Sequence, residues 1–270
     1  MKVVRQLRRS VPRILWKYCG TLALPLLTDM RVKLACPNEF NDPFEFTPAM
    51  YNSVTVTDLE RFYADPEWVA HWQPPTLPPD RDDRRRMLEA GADVMSQTGF
   101  EIAQEELDRI SSKYAVLCLS SDPDSILMWS HYAQNHRGFV VGIAHRRLGS
   151  IPFFPVEYSS RRVSFKATTP LKVNPNVRAL DIFRRKSACW AYEKEFRTIW
   201  KLSDLICGTI GPNEAFFLPL LPASIVEVRL GYRCPPELEA GIREALTTHN
   251  CPALVRRTSL HRRAYRLLYD

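Results

Sequence analysis

Ser120-Ser121-Asp122-Pro123-Asp124-Ser125-Ile126-Leu127-Met128-Trp129-Ser130-His131-Tyr132-Ala133-Gln134-Asn135-His136-Arg137-Gly138-Phe139-Val140-Val141-Gly142 packs a polar turn, an aromatic helix, a second polar turn and a strand into 23 residues. Ser, Asp and Pro favour turns because their side chains bond the local backbone or pre-set φ. Asp124 to Tyr132 predicts about two helical turns, with apolar runs on either side at Tyr114–Leu119 and Gly138–Ile143 that read as strands. Carboxylates, two histidines, a tyrosine, a tryptophan and an arginine are concentrated here, more site chemistry than a connection needs. The stretch points to catalysis or to a polar ligand.

Upstream, Ile14–Tyr18 reads as a first strand, Leu22–Met30 as a short helix and Val32–Cys36 as a second strand ended by Pro37. Asn38 to Glu45 is rich in turn residues, and Pro43 holds Asp42 in extended conformations. Residues 57–72 and 83–113 have helical periodicity, with Leu59, Phe62 and Tyr63 on one face and prolines 74, 75, 78 and 79 in the exposed loop between them. Downstream, 151–175 is irregular with β character, Ala179–Ala191 predicts a helix and Glu193–Lys201 a strand. The chain closes with a strand at Ile225–Leu230, a turn at Gly231, a helix at Pro236–Thr247 and a strand at Leu254–Thr258. Helices and strands mix without a βαβ repeat, which predicts an α+β fold. It is expected to be a single mixed-sheet domain, with residues 1–50 and 114–270 as its core and a helical insertion or cap at 51–113.

A chain of 270 residues with 45% hydrophobic and 25% charged residues is ordinary for a globular protein able to bury a core. The net charge of +7 favours an anionic partner, such as nucleic acid or a phosphate-bearing molecule, or else reflects a basic surface without a specific partner. Seven dispersed cysteines without a C-x-x-C pair argue against structural zinc and fit free thiols in a reducing cytoplasm. Cys118 and Cys189 are expected in the core. Neither a signal peptide nor a membrane span is read, because the apolar run Leu22–Leu27 is short and broken by Pro25. Arg5, Arg8, Arg9 and Arg13 form either a cationic face or a solvated helix face.

Glu193, Glu195 and Arg197 recur at period two, which on a strand places two carboxylates and a guanidinium on one face. Such a row suits acid–base work or the binding of ribose or phosphate; the bland alternative is the solvated face of an edge strand, against which the flanking Trp190 and Tyr192 argue. Trp129 and Tyr132 stand three apart on the short helix, as core anchors or, for Tyr132, as a stacking or hydroxyl group. His131 reads as a structural histidine. Arg137 either contacts phosphate or bonds the carbonyls of its own turn. Lys17, Tyr18, Asn41 and Asp42 complete the candidates, with a tight structural turn as the alternative for Asn41-Asp42-Pro43. The Walker, dinucleotide, zinc-protease and esterase signatures are absent, as is the E-x-K spacing of restriction-type nucleases.

Leu15-Trp16-Lys17-Tyr18, Phe40 to Glu45, Met128 to Ala133 with His136-Arg137-Gly138, and Trp190 to Arg197 resemble, in this order, a widespread prokaryotic family known as domain of unknown function 2971. The closing segment from Ile225 resembles that family too, so the likeness runs over residues 14–268. The order of parts is also similar to the ADP-ribosyltransferase superfamily, which implies a basic or aromatic residue on an early strand (Lys17 or Tyr18), Tyr132 mid-chain and a late-strand glutamate, Glu195 or Glu193. That resemblance implies NAD as substrate, its pyrophosphate held by Arg137 and Arg197, an aromatic ring of Tyr132 or Trp129 on the nicotinamide, and Glu195 bonding the nicotinamide-ribose hydroxyls and stabilising the cation formed as the glycosidic bond breaks. His131, Asn41 and Asp42 join the cofactor-binding set, and no metal is implied. An ADP-ribosyltransferase of defence or toxin type acting on nucleic acid, or an NAD hydrolase, is the expectation. The competing classes are a nucleic-acid-binding or hydrolytic module without NAD chemistry, supported by Arg84–Arg86, Arg161-Arg162, Arg256-Arg257 and His261–Arg263, and a protein bound by an immunity or antitoxin partner through the proline loop.

Overall fold

A computed structural model describes residues 11–47, 49–51, 54–149, 151–166 and 179–270. Arg5, Arg8 and Arg9 lie outside them, as does all of 167–175. The chain divides into two compact units, the first drawn from Met1–Glu39, Tyr114–Tyr158 and Ala188–Asp270, the second from Phe40–Lys113 and Ser159–Ser187. Helices and strands with a large mixed sheet make the fold α+β.

The first unit contains β1 (Leu15–Cys19), β2 (Arg31–Leu34), β3 (Tyr114–Ser120), β4 (Phe139–Ile143), β5 (Phe154–Pro155), β6 (Glu195–Lys201), β7 (Ile206–Ile210), β8 (Asn213–Pro219), β9 (Ile225–Leu230), β10 (Leu254–Leu260) and β11 (Leu267–Tyr269). Eight of them form a sheet in the order β11-β10-β9-β4-β1-β3-β6-β5, and β7-β8-β2 form a second. Only β9 and β10 pair in parallel, joined through the helix Pro236–Thr248; the other described pairs of these two sheets are antiparallel. A parallel pair needs such a crossover because the chain must return to the same end of the sheet.

Central strands are covered on both faces, which is why β4 reads as the unbroken apolar run Phe139-Val140-Val141-Gly142-Ile143. Period two divides their side chains between two clusters. Leu15, Cys19, Phe139, Val141 and Ile143 face a core shared with Leu238, Ile242 and Leu246 of the 236–248 helix. Trp16, Tyr18 and Val140 face the helix Ile126–Tyr132, packing on Met128 and Trp129. Trp129 is fully buried and adds about 1.5–3 kcal/mol by area alone. Gly142 pairs with Trp16 across β1, and a Cβ there would press into the indole.

The second unit holds the helical block. Thr55 and Asp58 form a capping box on the helix Val56–Tyr63, Asp65 caps Pro66–Trp72, and Arg81–Ser111 follows. Val54, Leu59, Leu88 and Ala92 form its small core, and Ala49–Tyr51 pairs in parallel with Ser164–Lys166. The proline loop is tied down where Tyr63 donates to the Pro75 carbonyl (3.1 Å) and Arg84 to that of Pro78 (3.0 Å).

Several local expectations change. The helix expected over Ala179–Ala191 ends at Arg184, gives way to a strand at Arg185–Ser187 and becomes a 3-10 stretch at Ala188–Glu193. The hairpin of β7 and β8 was not anticipated, because Ile206–Ile210 is exposed except for the half-buried Gly208 and so shows no inward-outward alternation. Cys189, expected in the core, is exposed. Among the described residues no helix is long and apolar enough to cross a membrane, and no group of three His, Cys, Asp or Glu side chains is placed to hold a metal ion.

Candidate functional site

In the first unit the polar turn Ser120–Ser125 and the loop Glu193–Glu195 are laced together. Ser120 Oγ donates to the Glu193 carbonyl (2.6 Å) and accepts from the Asp122 N–H (3.0 Å). The Ser121 N–H donates to the Lys194 carbonyl (3.0 Å), and the Lys194 ammonium reaches Asp122 at 2.7 Å. Burial pushes the Asp122 carboxyl up, but the Lys194 bond, the Asp124 N–H and the charges of Lys194 and Arg229 outweigh it and hold the group below its ordinary value.

Lys194 has φ 45°, a left-handed conformation uncommon outside glycine. This kink overturns the expected row of Glu193, Glu195 and Arg197 on one strand face. Glu193 ends the 3-10 stretch, β6 begins at Glu195, and the two carboxylates find different partners. Tyr132 Oη donates to Glu193 Oε1 at 2.6 Å, from a half-buried ring to a carboxylate only 3% exposed. Glu195 instead receives both Nε and Nη2 of Arg197, at 2.8 and 2.9 Å, and its N–H donates to Tyr158 Oη at 2.8 Å. Arg197 is fully buried, so this fork holds a charge pair in the interior of the unit.

A chain of rings borders Glu193. His131 and Tyr192 are 6.1 Å apart, Tyr192 and Trp190 6.0 Å, and His131 and Tyr132 6.4 Å. His131 is exposed and the other three are half-buried.

The remaining candidates are placed as follows. Trp129 donates its indole N–H to the Pro123 carbonyl (2.9 Å) and stacks on His136 at 5.7 Å, with no solvent-facing surface. Tyr18 meets Trp129 edge-on at 5.7 Å and donates to the Asp122 carbonyl at 2.8 Å; burial, then the Asp122 charge, pushes its phenol well above the ordinary tyrosine value. Lys17 donates to the Cys118 carbonyl at 3.4 Å. Arg137 is exposed, on a turn in which Gln134, Asn135 and His136 all have positive φ. That turn is fastened by the Gly231 N–H on the Gly138 carbonyl (2.9 Å) and the Arg233 N–H on the His136 carbonyl (3.1 Å). Asn41 and Asp42 belong to the second unit, where Asp42 accepts from the Phe44 N–H at 2.9 Å in an Asx-type turn.

Residues 128–198 match DUF2971, a family described as Protein of unknown function. The DUF2971 segment takes in Tyr132, the ring chain, Glu193, Glu195 and Arg197, so both carboxylate pairings lie within it. The early strand Leu15–Tyr18, the Phe40–Glu45 turn and the closing strands lie outside the matched residues. No curated protein and no solved structure matches the chain. The likeness to ADP-ribosyltransferases therefore rests on the order of residues alone.

Lys194, Ser120 and Tyr158 were not singled out from the sequence. Lys194 sits between two glutamates at a strand onset, a weak sign of a kink. Ser120 acts on a carbonyl 73 residues away, and nothing local announces it.

Proposed function

We propose that the DUF2971 segment is an NAD-consuming site that transfers ADP-ribose, with Glu193 as the carboxylate facing the nicotinamide ribose. The observation carrying this reading is the Tyr132–Glu193 bond of 2.6 Å beside partly open aromatic rings. Rings suit a planar nicotinamide, and a preorganised carboxylate suits the cation that develops on ribose C1′. The C1′–N bond breaks with its electron pair leaving on nicotinamide; the acceptor's lone pair forms the new bond to C1′, and the acceptor's proton passes to solvent. Tyr132 positions Glu193.

Glu195 takes a supporting part in this reading, because its charge is balanced by Arg197. For the same reason Arg197 is a poor pyrophosphate ligand, which leaves Arg137 and Lys17 as candidate cations. The net charge of +7 favours nucleic acid as acceptor over protein, and water in its place gives NAD hydrolysis.

The test is turnover of isotope-labelled NAD with RNA, DNA or lysate protein added in turn. Glu193→Gln is expected to lower turnover about 10²-fold or more, and Tyr132→Phe less, because it leaves the charge in place. No turnover by the wild type with any acceptor, or full activity in Glu193→Gln, refutes the reading. A second reading, nucleic-acid binding without NAD chemistry, draws on the fully exposed Tyr265 among exposed Arg262, Arg263 and Arg266. It predicts strand binding that falls steeply with salt and is indifferent to Glu193.

A further inference from the structure

The second unit has a cavity of about 230 Å³ that the NAD reading does not use. At its wall Lys186 and Glu45 form an ion pair of 3.3 Å, with side chains 4% and 0% exposed. Burying such a pair carries a desolvation penalty, which their mutual attraction offsets. The lining carries Arg161, Arg162, Arg185 and Lys186 against Asp42 and Glu45, four cations to two carboxylates. A concave wall with this excess focuses a positive potential inward.

The cations are not equivalent. Arg162 donates Nε and Nη2 to the Thr47 carbonyl (3.0 and 2.6 Å) and lies 5.3 Å over the Phe44 ring, so it holds the rim. Arg161 is exposed, and among the described residues nothing engages its guanidinium. Phe44, 61% exposed, offers a flat apolar face at the mouth. Ser160 and Ser187 add hydroxyls to the lining.

We propose that this cavity binds the phosphate of a mononucleotide unit, with Arg161 and Lys186 on the phosphate and Phe44 against the sugar or base. Arginine suits the phosphate because its fork matches two oxygens at once, and Lys186, fixed by Glu45, adds a point charge without reordering. The volume lies below the range of about 300–1,000 Å³ usual for drug-sized ligands, so one phosphate and a sugar fit where a whole dinucleotide does not. A free nucleotide and the 5′-phosphate of a nucleic-acid strand share this chemistry.

The test is calorimetric titration of the full chain with AMP and with adenosine, then with a single-stranded octanucleotide bearing or lacking a 5′-phosphate. AMP is expected to bind at least about tenfold more tightly than adenosine, and Arg161→Glu to weaken AMP about tenfold or more with the melting temperature unchanged. Glu193→Gln is expected to leave AMP binding as it was. An octanucleotide bound only with its 5′-phosphate, and weakened equally by Arg161→Glu, identifies the strand end as the ligand; AMP binding alone identifies the free nucleotide. Equal binding of AMP and adenosine, no binding of either, or AMP binding insensitive to Arg161→Glu overturns the proposal.

Discussion

Removing either partner of the Glu195–Arg197 pair is expected to unfold the first unit under conditions the wild type survives. Arg197→Met deletes a fully buried guanidinium and leaves the Glu195 carboxylate, 7% exposed, without its two-pronged donor. Unit charges about 4 Å apart at an effective dielectric constant near 20 interact by about 4 kcal/mol. Breaking buried pairs by removing one partner likewise costs about 3–5 kcal/mol. At roughly 2–4 °C per kcal/mol for a domain of this size, the melting temperature should fall by about 6–20 °C. Urea unfolding followed by tryptophan fluorescence reads this directly, because Trp16, Trp129, Trp190 and Trp200 all lie in the first unit. The double variant Glu195→Leu/Arg197→Met should recover most of the loss, since a well-packed apolar pair often replaces a buried ion pair at little net penalty. A loss below about 1 kcal/mol in each single variant would mean that the pair behaves like a surface salt bridge, and the burial argument would be wrong.

Gly138→Ala and Gly231→Ala should each destabilise by about 3 kcal/mol, the upper end of overpacking, because the added Cβ would overlap a backbone carbonyl, that of Cys19 or His136 respectively; thermal melts showing less than about 1 kcal/mol would contradict the packing. Stability should also fall between pH 7.5 and 5.5. His136 is held below its ordinary value by burial and then by Arg233, and His145 by burial first, with the Arg146 charge adding to it. The unfolded chain binds more protons than the folded one in this window, so the stabilisation is complete above the ordinary histidine value near 6.5 and is lost as pH drops below it. His136→Asn, which tolerates the positive φ of 64°, should flatten that part of the urea-midpoint profile; an unaltered slope would locate the protons elsewhere.

Much of the organisation was legible in local pattern. The apolar runs at Tyr114–Leu119 and Gly138–Ile143, the short helix between them and the long helix Arg81–Ser111 lie within two residues of their expected places, whereas the helix expected over 57–72 is split at Asp65, which caps a second helix beginning at Pro66. The final helix at Pro236–Thr248 does as well. These elements are set by hydrophobic period, caps and turn residues, which act over a few positions. The break at Arg184 was not legible, because Ala179–Ala191 keeps residues compatible with a helix and the strand Arg185–Ser187 is decided by non-local pairing.

The candidate site divides along the same line. Residue types picked out Glu193, Glu195 and Arg197 as one row, and Tyr132 joined them only through the resemblance to ADP-ribosyltransferases. Which carboxylate meets which partner was decided only in three dimensions. The left-handed backbone at Lys194 directs Glu193 to a tyrosine 61 residues away and leaves Glu195 to Arg197, against the simple alternation that period two predicts. Tertiary structure also assigned Asn41 and Asp42 to the second unit, and there it brought Glu45 to one cavity with Arg161 and Lys186, which lie more than 100 residues further along the chain. Sequence pattern determines how a segment folds on itself because those forces are short-ranged. Contacts between distant segments depend on loop closure and packing of the whole unit, and they alone assign each charge its partner.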